Sequence, residues 1–164
     1  MSARLSDEQL AALTFEPEFL AGLRLIYEEK IVFNKTLGLR VDQITPLSVQ
    51  AHLDMRDELV GHFAYHRIHG GVISAALDAI GSLAVIAHLA ARHMDEPPMR
   101  RLERFARLGT IDLRVDYLRP GIGERFVIEA QALRVGSRVG TSHMRFLGSD
   151  GTLLSTGTAA YIVS

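Results

Sequence analysis

The segment of this chain that carries most chemistry is His69-Gly-Gly-Val-Ile-Ser-Ala-Ala-Leu-Asp78. Two glycines at a helix start let another backbone or a ligand approach closely. The free N–H groups of a first helical turn offer a site to an oxyanion or a polarised carbonyl. Acyl transfer needs that geometry. Gly70, Ser74, Asp78 and Ser82 recur every four residues and form one polar stripe down an otherwise apolar helix. A carboxylate on such a stripe is either hydrogen-bonded to a neighbouring strand or set there to act as a base or nucleophile. The nearby histidines also have two readings. His69 caps the helix or shapes the turn of a site, and His62 and His66 are solvated loop residues or ligand contacts. A metal centre built from His62, His66 and His69 lacks a further ligand at a recognisable spacing, so none is expected.

The elements that must position these residues follow from hydrophobic period. Ser6-Asp-Glu-Gln9 has the form of a capping box before Leu10 and Leu13, and Pro17 opens a second helical pattern through Phe19, Leu20, Leu23 and Ile26 to about Glu29. Residues 1–35 therefore read as a helical extension to a domain spanning 36–164. From Gly38 the period becomes two: Leu39, Val41 and Ile44, then Val49, Ala51, Leu53 and Met55, across a Thr45-Pro46 break, predict a hairpin. Gly61 to Gly71 reads as a loop, and a long apolar helix follows to about His93, before Pro97-Pro98. Four strands come next, at 110–118, 124–135, 139–147 and 153–162, joined by short turns that make neighbours antiparallel.

A helix apolar on nearly every side must be enclosed. A curved antiparallel sheet wrapped around it does this within one small α+β domain. The alternative, a membrane span over 72–91, would place Asp78 in hydrocarbon at a cost of about 2.5–3.5 kcal/mol, which favours the buried soluble helix. With 164 residues, 48% of them hydrophobic, the chain has the size of a single domain. A net charge of −1 provides no basic field for nucleic acid. The lack of cysteine removes thiolate chemistry and fits the cytoplasm, and the acidic residues after Met1 do not resemble an export signal.

The run His69-Gly70-Gly71 followed by Ala76-Leu77-Asp78 resembles the HGG-to-Asp signature of hotdog-fold acyl-CoA thioesterases, in the branch typified by the phenylacetate-pathway and hydroxybenzoyl-CoA thioesterases. Thr110-Ile-Asp-Leu-Arg-Val-Asp-Tyr-Leu-Arg-Pro120 is similar to the family's strand after the central helix. Ser155-Thr-Gly-Thr-Ala-Ala-Tyr161 is similar to its last strand. The resemblance implies a hotdog fold and hydrolysis of acyl-CoA by a homodimer or homotetramer. It implies no separate cofactor, because CoA is part of the substrate. Asp78 would be the catalytic carboxylate, acting on water or on the thioester carbonyl. Gly70, with Gly71 beside it, would hold that carbonyl, His69 would shape the turn, and Thr110 would orient the attacking water. The family often carries Asn six residues before the HGG histidine. Phe63 stands there in this chain, with His62 and His66 nearby as stand-ins.

Three expectations extend the resemblance. Gly70 and Asp78 are eight residues apart, roughly 12 Å along one helix at 1.5 Å per residue, so a single carbonyl cannot touch both. If both act on one thioester, each site must combine two subunits. Arg119, Arg134 and Arg138 stand at strand ends or turns, where they are either solvated or in reach of the CoA phosphates. Val72, Ile73 and Leu77 would line the acyl tunnel beside the central helix, with Ser74 on the same side as Asp78. A dehydratase or hydratase on the same fold, and an acyl-CoA sensor without catalysis, are the competing readings.

Overall fold

Ser6 and Gln9 close the expected capping box: the Gln9 N–H donates to Ser6 Oγ at 3.2 Å and the Ser6 N–H to Gln9 Oε1 at 2.8 Å. This opens α1 (Asp7–Ala11) in a computed structural model that describes residues 6–164. The first five residues of the expected helical extension lie outside the described residues. Pro17 starts α2 (Pro17–Arg24), which buries Phe19 and Leu23. The single helix expected to run to Glu29 instead widens into one π-helical turn, Leu25–Lys30, and resumes as α3 (Val32–Leu37). The Asn34 side chain donates to the Tyr27 carbonyl at 3.0 Å, supplying a partner for a buried backbone group in the altered turn.

The hairpin forms as the period predicts, with β1 (Arg40–Ile44) antiparallel to β2 (Ser48–Asp54). The segment 61–71 is more than a loop. It holds a two-stranded ribbon, β3 (Val60–His62) and β4 (Arg67–Ile68), with a 3-10 turn Phe63–Tyr65 at its tip. Strands of three and two residues are too short to show an alternating pattern. The core helix α4 (Gly70–Ala91) follows, then a short α5 (Pro98–Glu103) and a 3-10 turn Arg104–Arg107 that the hydrophobic period did not signal. Four long strands complete the chain: β5 (Gly109–Tyr117), β6 (Arg125–Val135), β7 (Val139–Gly148) and β8 (Leu153–Ile162).

The six long strands form one antiparallel sheet in the order β1-β2-β6-β7-β8-β5, so β5 is an edge. The sheet encloses α4, as a helix apolar on nearly every side requires. Ile73, Leu77, Ile80 and Leu83 of α4 and Phe126, Ile128, Met144 and Phe146 of the sheet are all buried in one core. The helix lies so close that a Cβ on Gly81 would sit 2.5 Å from Tyr161 Oη and 2.7 Å from Ser142 Oγ. The 72–91 segment is thus the core helix of the fold. Arg101, fully buried, locks the N-terminal helices onto this body. Its guanidinium reaches both Glu16 carboxylate oxygens at 2.6 Å and lies 4.6 Å from the centre of the Phe19 ring.

Candidate active site

Asp78 projects from the third turn of α4, half-buried, toward the start of β5. The Thr110 hydroxyl lies 3.0 Å from Oδ1 and 3.2 Å from Oδ2, donating to the carboxylate. The Tyr161 hydroxyl donates to the Asp78 backbone carbonyl at 3.1 Å and fixes that turn from the opposite strand. Burial raises the Asp78 pKa above the ordinary aspartate range, and the Thr110 hydroxyl opposes the shift by favouring the charged form. A carboxylate raised in this way is a stronger base than a solvated one. Thr110→Val removes the opposing donor. The acid limb of the pH–rate profile, where Asp78 takes up its proton, is therefore expected to move to higher pH. A limb that stays put or moves down would show that Thr110 does not act on this carboxylate.

Eight residues earlier, the start of α4 is shaped by its own cap. His69 Nδ1 accepts the Gly71 N–H at 2.8 Å, which places the proton of a neutral ring on Nε2 of this exposed side chain. This narrows the expected pair of glycine donors: the Gly71 amide is already engaged. The Gly70 N–H has no acceptor among the described residues. The Gly70 carbonyl accepts the Tyr117 hydroxyl at 2.8 Å, and a Cβ on Gly70 would press on the Tyr117 ring at 3.3 Å. Of the polar stripe, Ser74 donates to the Gly71 carbonyl at 3.0 Å. Ser82 donates to the Ala79 carbonyl at 2.7 Å and takes the Tyr27 hydroxyl at 3.0 Å. Of the three polar side chains on the stripe, Asp78 alone bonds away from its own helix rather than back to it.

The remaining candidates fall into four places. Arg119 shares a groove of about 340 Å³ with Gly70, Tyr117 and Arg67, an arginine the motif did not single out. His62, Phe63 and His66 occupy the exposed ribbon tip; Phe63 is 92% exposed, its ring 5.9 Å from His62, and His66 adopts φ 48°. Arg134 and Arg138 sit at the β6–β7 end of the sheet, with no side-chain hydrogen bond or ion pair to either cluster among the described residues. Leu77 is fully enclosed in the core and Ile73 nearly so, whereas Val72 is only partly covered. No group of three or more His, Asp or Glu side chains at metal-binding distance occurs among the described residues.

Thr110 and Tyr117 are seven residues apart on one strand, which in a regular strand would send them to opposite faces. A bulge intervenes. Thr110 pairs with Tyr161 and Asp112 with Ala160, so Ile111 is the extra residue, and Tyr117 pairs with Ser155. Counted along β8, the two positions differ by six, and both face α4. One holds Asp78 and the other holds Gly70. No sequence pattern signals this extra residue.

Comparison with known proteins agrees with this architecture. The family model of the thioesterase superfamily matches residues 65–155. The medium/long-chain acyl-CoA thioesterase YigI of Salmonella typhimurium is 35% identical over 165 aligned residues, covering 99% of each chain. The protein of that name from Escherichia coli K12 is 34% identical over the same share. A crystal structure from Shewanella oneidensis, of a protein related to the thioesterase superfamily, superposes with a TM-score of 0.83 at 33% identity. It covers 92% of this chain and 100% of that one.

Proposed function

This chain belongs to the thioesterase superfamily, and on that premise we propose that it hydrolyses acyl-CoA thioesters at a site shared between two subunits. The observation that carries the reading is a half-buried carboxylate, Asp78, held by a Thr110 hydroxyl on an otherwise apolar core helix. Asp78 takes a proton from a water molecule as the water oxygen bonds to the thioester carbonyl carbon. The negative charge that develops on the carbonyl oxygen is met by the Gly70 N–H at the positive end of α4. Collapse of the tetrahedral species breaks the carbon–sulfur bond. The proton held by Asp78 passes to the departing CoA thiolate, which returns the carboxylate to its starting state. The groove between Arg67 and Arg119 beside Gly70 suits the phosphates of CoA.

Sharing between subunits is supported by the sheet edge. β5 has nine residues with no partner strand on its outer side among the described residues, and Ile111, Tyr117 and Leu118 are each at least half exposed. Such an edge is prone to pair. Antiparallel pairing of two β5 strands about a two-fold axis sets the Thr110 end of one against the Tyr117 end of the other. Asp78 then faces Gly70 of the partner subunit.

The name of the YigI relatives points to medium and long acyl chains. Phe63, standing where relatives often carry Asn, keeps the non-catalytic acyl-CoA sensor as a second reading. Thiol release from acetyl-, hexanoyl-, palmitoyl- and phenylacetyl-CoA separates the two. Turnover of hexanoyl- or palmitoyl-CoA above acetyl-CoA is expected, whereas tight binding with no turnover of any of the four would favour the sensor.

A further inference from the structure

A cleft of about 260 Å³ opens beside Asp78 and Thr110 and is walled by helices on both sides. One wall is the face of α4 formed by Ala75, Asp78, Ala79 and Ser82, whose three- and four-residue spacing aligns them. The other wall is Tyr27, Ile31, Phe33 and Asn34, from the π-helical turn, the residue that joins it to α3, and α3. Phe105 and Leu108, just before β5, complete the lining. None of the second wall lies in the 65–155 segment matched by the family model.

The cleft is chemically one-sided. Asn34 turns its amide to the Tyr27 carbonyl, and Ser82 and Tyr27 turn their hydroxyls to each other, so these polar groups are engaged within the protein. What remains along the walls is hydrocarbon, with two alanines on α4 making room and a carboxylate at one end. The wall is also braced. Tyr27 is fully buried and packs edge-on to Phe105 at 5.5 Å, and Arg101 clamps α2 to α5. Phe33, at the rim, is 60% exposed, an apolar surface with no partner among the described residues. A π-helical turn spent on holding such a wall is the kind of local irregularity found at functional sites.

We propose that this cleft receives the aliphatic acyl chain of the substrate, and that the Tyr27–Asn34 wall facing Ala79 sets the length accepted. The proposal rests on the thioesterase reading for its occupant. At about 30 Å³ for each water-sized group, the cleft takes a chain of roughly eight or nine such groups, which makes it a medium-chain slot. Methylenes beyond that length pass the Phe33 rim and gain less.

Equilibrium binding to full-length Asp78→Asn protein, which leaves the thioester intact, tests this separately from catalysis. Affinities for butyryl- to palmitoyl-CoA are expected to tighten by up to about fourfold per buried methylene and to level off near decanoyl. Adding Ala79→Leu fills the cleft. It should move the break to shorter chains and lower the palmitoyl-to-butyryl affinity ratio by about tenfold or more. Phe33→Ala should lower the same ratio by a smaller factor. Because each ratio is taken within one protein, a partly misfolded variant does not mimic the effect. An unchanged ratio in both variants, or equal losses at every chain length, overturns the assignment of the cleft. Absence of hydrolysis by the unmodified protein, with the length-dependent binding intact, would overturn the thioesterase reading and leave the cleft standing.

Discussion

Replacing Asp78 with Asn is expected to lower kcat by roughly a thousandfold or more, with Tm unchanged or slightly raised. Asn keeps the shape of the side chain and an oxygen that accepts the Thr110 hydroxyl, so the turn loses no contact. It cannot take a proton from water or attack a carbonyl. The stability half of the prediction follows from the direction of the pKa shift. Burial disfavours the charged form in the folded state, so ionised Asp78 costs stability above its raised pKa and costs nothing below the ordinary carboxylate range. The Asp78→Asn variant is free of that cost near neutrality, and its advantage should fade as the pH falls toward and below the usual aspartate value. Thiol release and thermal unfolding on the same preparation check both halves. Activity within tenfold of the unmodified protein would remove Asp78 from the mechanism, and a drop in Tm of more than about 10 °C would assign the loss to folding instead.

Mixing two inactive proteins is expected to restore activity. Asp78→Asn subunits lack the base but keep the Gly70 amide. Gly70→Val subunits keep the base, while their added side chain crowds Tyr117 and the open amide at the helix start. If each site takes its acid from one subunit and its amide from the other, a heterodimer holds one intact site and one doubly damaged site. Random pairing at equal amounts makes half the dimers mixed, and the recovered activity should approach about a quarter of normal. Co-expression with two affinity tags isolates the mixed dimer and raises the figure to about half. No recovery in the isolated heterodimer would mean that the residues do not meet across subunits, and a monomer in sedimentation would exclude sharing altogether.

How much of the site was legible in the sequence depended on whether a residue's role is local. His69, Gly70 and Gly71 announce a helix start because capping is a matter of neighbours within three residues, and His69 does cap the helix. The long apolar run from Val72 demanded an enclosing sheet, and the strand signals after Gly109 supplied it. The tyrosines were not legible. Tyr161, Tyr117 and Tyr27 come from β8, β5 and the π-helical turn, 83, 47 and 55 residues from the α4 groups that they hydrogen-bond. Nothing in their own segments marks those partners. That the cap would take up the Gly71 amide, and so leave Gly70 alone as the open donor, depends on the ring orientation of His69, which residue type by itself does not fix.

By itself the amino-acid order determined the enclosed helix, the antiparallel sheet around it, and the placing of an acid two turns beyond a glycine-rich helix start, because period, capping and turn chemistry act over a few residues. Only the tertiary structure decided that Thr110 and Tyr117 share a face, through one extra residue in β5, and that the N-terminal helices wall the cleft beside Asp78. Those outcomes depend on strand register and on packing between segments distant in the chain. Such contacts are settled by the whole core at once, and no local pattern encodes them.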